Sequence, residues 1–300
     1  MAEGNKIELF LDSGAFSAWS QKTKISIRKY IKFIKENIDV IDVYSNLDVI
    51  GSAEGTWKNQ LHMEKAGLNP LPTFHYGEDY KWLEKYVSLD YDYICLGGMV
   101  PINTKDLIPW LDTVFSKYVC DKDGMPLIKM HGFGLTSLPL MERYPWYSVD
   151  STSWVIVGRM GGIHIPAKRG GKWDYTKAFK VAVSSLSPLK SDAGKHITTL
   201  SIKEREIMLE YIHEKGYVLG KSVFHLVPQS YELKPNEKWT EKKPKNKMDN
   251  RTVETIVERG VSNIYQLRDE MNILYFIDLE NSMPKWPWKF ELQNKQIPLF

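Results

Sequence analysis

Residues 7–16 read Ile-Glu-Leu-Phe-Leu-Asp-Ser-Gly-Ala-Phe, and this segment is the main basis for the fold expected of the 300-residue chain. The compact apolar run from Ile7 to Leu11 predicts a buried strand. Asp12 ends that strand, and Gly14 permits a tight turn that brings backbone N–H groups forward. The stretch therefore predicts a strand with a carboxylate at its C-terminal end.

The same arrangement recurs along the first half of the chain, where further apolar runs end in acidic or glycine-rich turns. These turns are Asn46-Leu-Asp48, Leu96-Gly-Gly98, His131-Gly-Phe-Gly134 and Val149-Asp-Ser-Thr152. Segments with helical spacing lie between them, so strand and helix alternate six times over about 150 residues. We therefore expect an α/β fold, a (β/α)8 TIM-barrel-like domain with functional residues at its strand ends.

The second half of the chain has a looser pattern. Helical spacing is expected over 175–185, 201–215 and 252–277, and short strands are expected near 154–157, 162–165 and 223–226. Residues 232–250 are rich in Lys, Pro and Asn and predict a flexible basic insertion. No clear domain boundary is visible, so we expect one domain over 1–300 with a modified C-terminal half and no zinc subdomain.

The composition excludes several classes of protein. Cys95 and Cys120 are too few for a disulfide scaffold or a four-cysteine zinc site, and no histidine pair has metal-ligand spacing, so no metal is expected. No Gly-x-x-x-x-Gly-Lys or Gly-x-Gly-x-x-Gly loop occurs, and no cofactor is expected. The chain has no apolar run of about 18 residues and no signal-peptide core at its start, which predicts a cytoplasmic protein without a membrane partner.

Basic and aromatic residues suggest a nucleic-acid partner. Seven basic residues lie between Lys234 and Arg251, and Lys168-Arg-Gly-Gly-Lys172 forms a second basic loop. The chain also holds ten tryptophans and sixteen tyrosines. Aromatic side chains beside basic loops suit single-stranded nucleic acid. The alternative is a large aromatic core with solvated lysines on the surface.

Three aspartates are candidates for catalysis. Asp12 is a candidate acid or base with Phe16 beside it as a stacking platform, or else a helix cap. Asp48 is a candidate ligand of the substrate, or a turn residue. Asp150 is a candidate nucleophile or base, or a buried hydrogen-bond acceptor.

Glycines and histidines at the other strand ends have two interpretations. Gly97 with Gly98, and Gly132 with Gly134, leave bare backbone where a flat ligand can lie, or they form simple turns. The histidines near strand ends are either site residues or structural residues, and a lone histidine is more often structural; they are His75, His131 and His164.

Taken in order, these turns resemble the tRNA-guanine transglycosylase superfamily over about residues 7–160. The resemblance implies a (β/α)8 barrel that exchanges guanine in a polynucleotide for a 7-deazaguanine base. It implies that Asp150 is the nucleophile and that Asp12 is the general acid/base, both lining one cleft. It further implies a set of substrate-binding residues: Ser13, Phe16, Asp48, Tyr76, Gly97, Gly98, His131, Gly132 and Gly134.

The resemblance also implies roles for the basic segments, which would hold phosphates rather than read bases. The residues implied in this role are Lys168, Arg169, Lys172, Lys242, Lys243 and Lys245.

Departures from the family pattern bear on the substrate. The tRNA enzymes carry a Cys-x-Cys-x-x-Cys…His zinc site, whereas this chain has no cysteine after Cys120. The Asp150 turn reads Asp-Ser-Thr rather than Asp-Cys-Val, and His131 stands where the family has Met. The chain resembles the phage and bacterial branch that places 7-deazaguanines, such as 7-cyano-7-deazaguanine, in DNA as a defence against restriction enzymes.

The resemblance therefore favours DNA over tRNA as the partner, in the host cytoplasm if the chain is phage-encoded. Three alternatives remain open: a zinc-free tRNA enzyme, an inert barrel that binds nucleic acid, and a nucleoside hydrolase or deoxyribosyltransferase acting on small molecules. The oligomeric state does not follow from the sequence.

Overall fold

A computed structural model describes residues 8–135, 137–240 and 250–292. The chain forms two compact units, which we call unit 1 (Met1–Ser151 with Pro284–Phe300) and unit 2 (Thr152–Met283). The single domain over 1–300 that the sequence predicts stays a prediction. The predicted α/β class is confirmed, since helices and parallel strands alternate along unit 1.

The described part of unit 1 holds six short strands, and a helix of the same unit follows each of the first five. The strands are β1 (Phe10–Leu11), β2 (Val43–Tyr44), β3 (Thr73–His75), β4 (Tyr93–Gly97), β5 (Lys129–Gly132) and β6 (Ser148–Val149). The helices are α1 (Ala15–Ser20), α2 (Ile27–Glu36), α3 (Ala53–Lys65), α4 (Lys81–Ser88), α5 (Thr104–Val114) and α6 (Leu138–Arg143). A π-helical turn, Phe115–Val119, extends α5.

All strand pairs of unit 1 are parallel and follow the order of the sequence. β1 pairs with β2, and β3 to β6 form one sheet. A parallel bridge between Ser45 and Leu71 connects the two groups. The Phe10 ring stacks on the His131 ring with centroids 4.3 Å apart, so β1 faces β5 across the inside of a curved sheet. Within the described part of the chain, no strand pairing joins β6 to β1.

The two faces of this sheet differ in chemistry. Phe74, Ile94, Leu96 and Met130 are fully buried in a core that includes residues of α4 and α5. The register aligns Thr73, Cys95, His131 and Ser148 on the opposite face. This alternation follows from the two-residue period of a strand. The apolar face therefore anchors the strands, and the polar face supplies functional groups.

Side-chain caps fix where two of the helices begin. Ser52 accepts a hydrogen bond from the Gly55 N–H at the start of α3, and Asn103 accepts one from the Asp106 N–H at the start of α5. Such caps satisfy N–H groups that have no partner within the helix. The loops that precede these helices carry strand-end residues, so the caps also limit the movement of those loops.

Unit 2 contains a long hairpin, a second sheet and three α-helices. The hairpin pairs β7 (Gly162–Arg169) with β8 (Lys172–Ala182), and the second sheet has the order β10 (Glu237–Trp239), β11 (Arg251–Glu258), β9 (Lys221–Val227). The helices are α7 (Ser153–Arg159), α8 (Ile202–Glu214) and α9 (Tyr265–Ser282). Among the described residues, no helix has the length and apolar character needed to cross a membrane.

Several expectations for this half are wrong. The helix expected over 175–185 is largely β8, because Gly170 and Gly171 both adopt positive φ and form a two-residue hairpin turn. Residues 154–157 lie in α7 rather than in a strand. The expected helix over 252–277 begins only at Tyr265, since Arg251–Glu258 pairs as β11.

Part of the predicted basic insertion, 232–250, is ordered sheet. Glu237–Trp239 forms β10 and pairs antiparallel with β11. Residues 241–249, which include Lys242, Lys243 and Lys245, lie outside the described residues.

The apolar face of the unit 1 sheet predicts a stability contrast. Leu96→Ala should lower the free energy of unfolding by about 2–5 kcal/mol, because it removes a fully buried side chain and leaves a cavity. Leu127→Ala is the matched control: Leu127 is 70% exposed and its truncation should change stability by about 0.5 kcal/mol or less. Urea unfolding followed by circular dichroism measures both. Equal losses in the two variants would contradict the assigned core.

Candidate active site

The C-terminal ends of the unit 1 strands bring several ionisable side chains into one cluster, which we call the strand-end cluster. Asp12 follows β1, Asp48 follows β2, His75 ends β3, His131 lies in β5 and Asp150 follows β6. Asp12 and Asp150 are accessible to solvent, whereas the side chains of Asp48 and His75 are only 10% and 7% exposed. Ligands of parallel α/β sheets bind at this end of the strands.

Asp48 connects the turns at three of these strand ends. Its Oδ1 accepts a hydrogen bond from the Ser13 hydroxyl at 2.9 Å, and its Oδ2 lies 2.9 Å from His75 Nε2. Ser13 is itself held by a bond from its backbone N–H to the Ser45 hydroxyl at 3.1 Å. One carboxylate thus joins the ends of β1, β2 and β3.

Glu78 completes the environment of His75. Glu78 Oε1 lies 3.3 Å from His75 Nδ1, and Glu78 Oε2 accepts the His75 backbone N–H at 3.0 Å. The imidazole therefore lies between two carboxylates that are both nearly buried. Gly97 makes room for this ring: a Cβ at position 97 would lie 2.7 Å from His75 Cδ2.

These contacts determine the charge of His75. Burial disfavours the charged ring, but the hydrogen bonds that the ring donates to Asp48 and Glu78 outweigh burial and raise the pKa of His75 to about 9. His75 is accordingly an imidazolium at neutral pH, and it partly neutralises a site that is otherwise rich in carboxylates.

Asp150 is held in a different way. Its Oδ1 accepts the Gly134 backbone N–H at 2.7 Å and lies 3.7 Å from His131 Nε2. Partial burial opposes ionisation, yet His131 and the Gly134 N–H outweigh it and lower the pKa of Asp150. Gly134 has φ +68°, and a Cβ there would lie 2.8 Å from Val100 Cγ2, so the turn that presents this N–H requires glycine.

His131 is fixed from several sides. Its Nδ1 lies 2.6 Å from the Ser148 hydroxyl, which in turn lies 2.6 Å from the Tyr93 hydroxyl. Phe10 stacks on the ring, and Phe133 meets it edge-on at 4.6 Å. His131 Nε2 is buried without a hydrogen-bond partner. The ring therefore has one orientation, with its unpaired nitrogen beside the Asp150 carboxylate.

Asp12 has the opposite electrostatic character to Asp150. Partial burial is the largest cause that raises the pKa of Asp12, and the negative charges of Asp48 and Asp150 raise it further. Hydrogen bonds from the backbone N–H groups of Gly14 and Ser13 lower the pKa, but by less than these causes raise it. Asp12 and Asp150 are therefore close enough to interact electrostatically. Two carboxylates whose pKa values move in opposite directions fit a proton donor beside an ionised nucleophile.

The other predicted substrate-binding residues differ in their burial and in whether they lie at the strand-end cluster. Ser13 is buried beside Asp48. Gly98 has φ +70°, and a Cβ at this position would lie 3.1 Å from the backbone nitrogen of Tyr76, so there is little room for a side chain. Gly132 lies against the Trp146 ring. Phe16, at the start of α1, is 52% exposed. Tyr76 is not brought to the cluster, since its ring packs edge-on against Trp110 in the core at 5.4 Å.

The predicted phosphate-binding residues of the 168–172 loop belong to unit 2. Lys168 pairs with Glu210 and lies over the Trp173 ring, and Arg169 lies 3.6 Å from Asp174. Lys172 is exposed. Two of these three cations thus have intrachain partners.

Sequence reasoning missed several residues of the strand-end cluster, namely Glu78, Tyr93, Cys95 and Ser148, and it left His75 open as either a site residue or a structural residue. Cys95 is fully buried, and burial together with the charges of Asp48, Asp12 and Asp150 raises the pKa of its thiol. The position of His75 at a strand end, with an acidic residue three positions later, was the one available signal. No sequence signal marks the hydroxyls of Tyr93 and Ser148, because their contacts depend on the register between neighbouring strands.

Within the described ranges, no group of three or more His, Cys, Asp or Glu side chains is arranged to hold a metal ion. Comparison with protein-family models gives no match, and searches of curated proteins and of solved structures give none either.

The charge of His75 predicts a pH-dependent stability. Its pKa is about 9 in the folded protein and about 6.5 in an unfolded chain, so its protonation stabilises fully below about pH 6.5 and no longer does above about pH 9. The loss in unfolding free energy on His75→Gln should therefore be largest at low pH and shrink as the pH rises through this window. Denaturant unfolding at a series of pH values measures it.

His62→Gln is the control for this experiment, because His62 is exposed on α3 and lies outside the cluster. It should leave the pH dependence of stability unchanged. A His75→Gln penalty that stays constant, or grows, between the two pH limits would contradict the assignment.

Proposed function

We propose that this protein is a guanine transglycosylase that replaces guanine in DNA by a 7-deazaguanine base through a covalent intermediate on Asp150. The observation that carries the proposal is the pair of strand-end carboxylates, Asp12 and Asp150, whose pKa values are displaced in opposite directions. The ordered strand-end motifs support it. The sequential parallel strands and the Phe10–His131 stacking support a barrel-like architecture for unit 1.

The first half of the reaction removes guanine. The ionised Asp150 carboxylate attacks C1′ of the target nucleotide and forms a glycosyl ester, while the C1′–N9 bond breaks and its electron pair goes to guanine. A protonated Asp12 gives its proton to the departing base, and its raised pKa makes that protonation easier than for an ordinary aspartate. The products of this half are neutral guanine, an Asp12 carboxylate and the covalent enzyme.

The second half reverses these roles. The incoming 7-deazaguanine loses its N9 proton to the Asp12 carboxylate, and N9 attacks C1′ as the ester C1′–O bond breaks. Asp150 leaves as a carboxylate, and Asp12 is again protonated. One group performs both proton transfers, as microscopic reversibility requires for such similar bases.

Other residues of the cluster would position the reactants. Asp48 keeps acceptor capacity for the N–H edge of guanine beyond its bonds to Ser13 and His75. The bare backbones of Gly97 and Gly98 can lie against the plane of the base, and the exposed ring of Phe16 can stack on it. His131 and the Gly134 N–H orient Asp150 toward C1′.

The target base must leave the helical stack to reach these groups, so the substrate is a flipped-out or single-stranded nucleotide. DNA is favoured over tRNA because the family's C-terminal zinc site has no counterpart in a chain without cysteine after Cys120. This part of the proposal rests on family analogy.

Exchange assays with variants test the nucleophile. Asp150→Ala should abolish base exchange, a loss on the order of 10⁴-fold or more, because the glycosyl ester cannot form. Asp123→Ala is the matched control, since Asp123 is exposed in a surface turn away from the cluster, and it should retain full activity. The protein is incubated with 7-cyano-7-deazaguanine and either DNA or tRNA, and the digested nucleosides are analysed by mass spectrometry.

Each outcome of this assay has a definite meaning. A 7-deazaguanine deoxynucleoside formed only by enzymes that retain Asp150 supports the proposal. Incorporation into tRNA alone contradicts DNA as the substrate but preserves the chemistry. Full exchange by Asp150→Ala contradicts the assignment of the nucleophile.

A further inference from the structure

Two hydroxyl side chains form a hydrogen-bonded chain that ends at the His131 ring, and the reaction proposed for Asp12 and Asp150 assigns them no role. The Tyr93 hydroxyl oxygen lies 2.6 Å from Ser148 Oγ, and Ser148 Oγ lies 2.6 Å from His131 Nδ1. Tyr93 belongs to β4 and Ser148 to β6, so the tyrosine side chain reaches over β5, the strand between them. The chain of contacts therefore depends on the register of three strands.

The direction of these hydrogen bonds follows from what each group can donate. Partial burial raises the pKa of the Tyr93 hydroxyl well above its usual value, so this group keeps its proton. Among the described residues, Ser148 Oγ is the one hydrogen-bond partner of that hydroxyl. If Tyr93 donates to Ser148, then Ser148 donates its own proton to His131 Nδ1, and every proton of the chain has an acceptor. The opposite direction would leave the Tyr93 proton without an acceptor on the protein.

The second nitrogen of His131 favours the same direction. When Nδ1 accepts a hydrogen bond, the proton of the neutral ring is on Nε2. Nε2 is buried without a hydrogen-bond partner in the described part of the chain, and it lies 3.7 Å from Asp150 Oδ1. The carboxylate attracts an N–H at this position, whereas it would repel a nitrogen lone pair. The same Oδ1 accepts the Gly134 backbone N–H at 2.7 Å, so both donors point to one oxygen.

Aromatic neighbours hold the ring in place. Phe10 stacks on one face of His131 with centroids 4.3 Å apart, and Phe133 meets the ring edge-on at 4.6 Å. The imidazole itself is only 2% exposed. The aromatic rings thus determine where Nε2 points, and the hydroxyl chain determines that Nε2 carries the proton.

We propose that Tyr93 and Ser148 are positioning residues that hold His131 as a neutral ring with its proton on Nε2, directed at Asp150. The consequence for catalysis rests on the proposed function. Asp150 must be ionised and aimed at C1′ before it attacks, and a fixed N–H donor favours both conditions. A neutral ring does not give up its N–H proton to the departing base, so proton transfer stays with Asp12.

NMR of the protein with 15N-labelled histidine tests the proton placement without any reaction. At pH about 8, above the usual pKa of histidine, His131 should show a protonated Nε2 and an unprotonated Nδ1. Couplings to the ring hydrogens distinguish the two nitrogens, and His131→Gln identifies the signals of this ring. Ser148→Ala should move the Nδ1 signal to that of a nitrogen without a hydrogen bond. Ser148→Thr, which keeps the hydroxyl, should leave it in place.

Two tyrosine variants separate the chain from a general loss of packing. Tyr93→Phe should shift the Nδ1 signal in the same direction as Ser148→Ala but by less, because Ser148 still donates but is no longer polarised by Tyr93. Tyr91→Phe is the matched control: Tyr91 is also half-buried, and its hydroxyl bonds to Glu64 outside the chain. This control should leave both nitrogen signals unchanged, and circular dichroism shows whether each variant is folded.

Kinetics of base exchange test the consequence for the reaction. Ser148→Ala should lower kcat roughly 10- to 100-fold with little change in KM, because the substrate still binds while Asp150 is less well directed. Ser148→Thr should recover most of the rate, and Tyr91→Phe should retain all of it.

The results separate this proposal from the one on catalysis. The predicted nitrogen signals support the proton placement even if base exchange is never observed, and the spectrum of the unchanged protein decides it even where a variant fails to fold. A proton on Nδ1, a doubly protonated ring at this pH, or an unchanged Nδ1 signal in folded Ser148→Ala each overturn it. A full exchange rate in Ser148→Ala overturns the positioning role and leaves the assignment of the nucleophile intact.

Discussion

The pairing of the Asp48 carboxylate with the His75 imidazolium is the interaction on which the strand-end cluster depends. Asp48 also accepts the Ser13 hydroxyl, so it links the turns after β1 and β2 to the end of β3. Glu78 holds the other side of the ring. A buried carboxylate is stable only when such partners compensate for its lost hydration. The cation therefore allows several acidic side chains to share a confined site.

Local partners give the two candidate catalytic carboxylates different properties. Asp150 has a backbone N–H and a histidine beside it, which lower its pKa. Asp12 is solvent-accessible but partly desolvated, and this loss of hydration together with nearby carboxylates raises its pKa. In the proposed reaction, the same residue type serves as nucleophile at one strand end and in proton transfer at another. The groups that shift these two pKa values all belong to unit 1.

Sequence alone predicts the parts of this molecule that depend on local pattern. The parallel βα units of unit 1 and the positions of Asp12, Asp48 and Asp150 at strand ends follow from apolar runs and turns. The partners of His75, Ser148 and Tyr93 depend on which strands become neighbours, and only His75 has a local sequence signal, its position at a strand end. Unit 2 was mispredicted at residues 175–185, where a helix was expected and most of the segment is β8. It was also mispredicted at Arg251–Glu258, which pairs as a strand within a segment expected to be helical.

Identification of the covalent intermediate tests the central claim most directly. The protein would be mixed with guanine-containing DNA without an incoming base, quenched with acid within one turnover, digested and analysed by tandem mass spectrometry. The account predicts a deoxyribosyl adduct on the peptide that contains Asp150, and no adduct in Asp150→Ala. An adduct on Asp12 or Asp48, or exchange that proceeds with no adduct on any carboxylate, would contradict it.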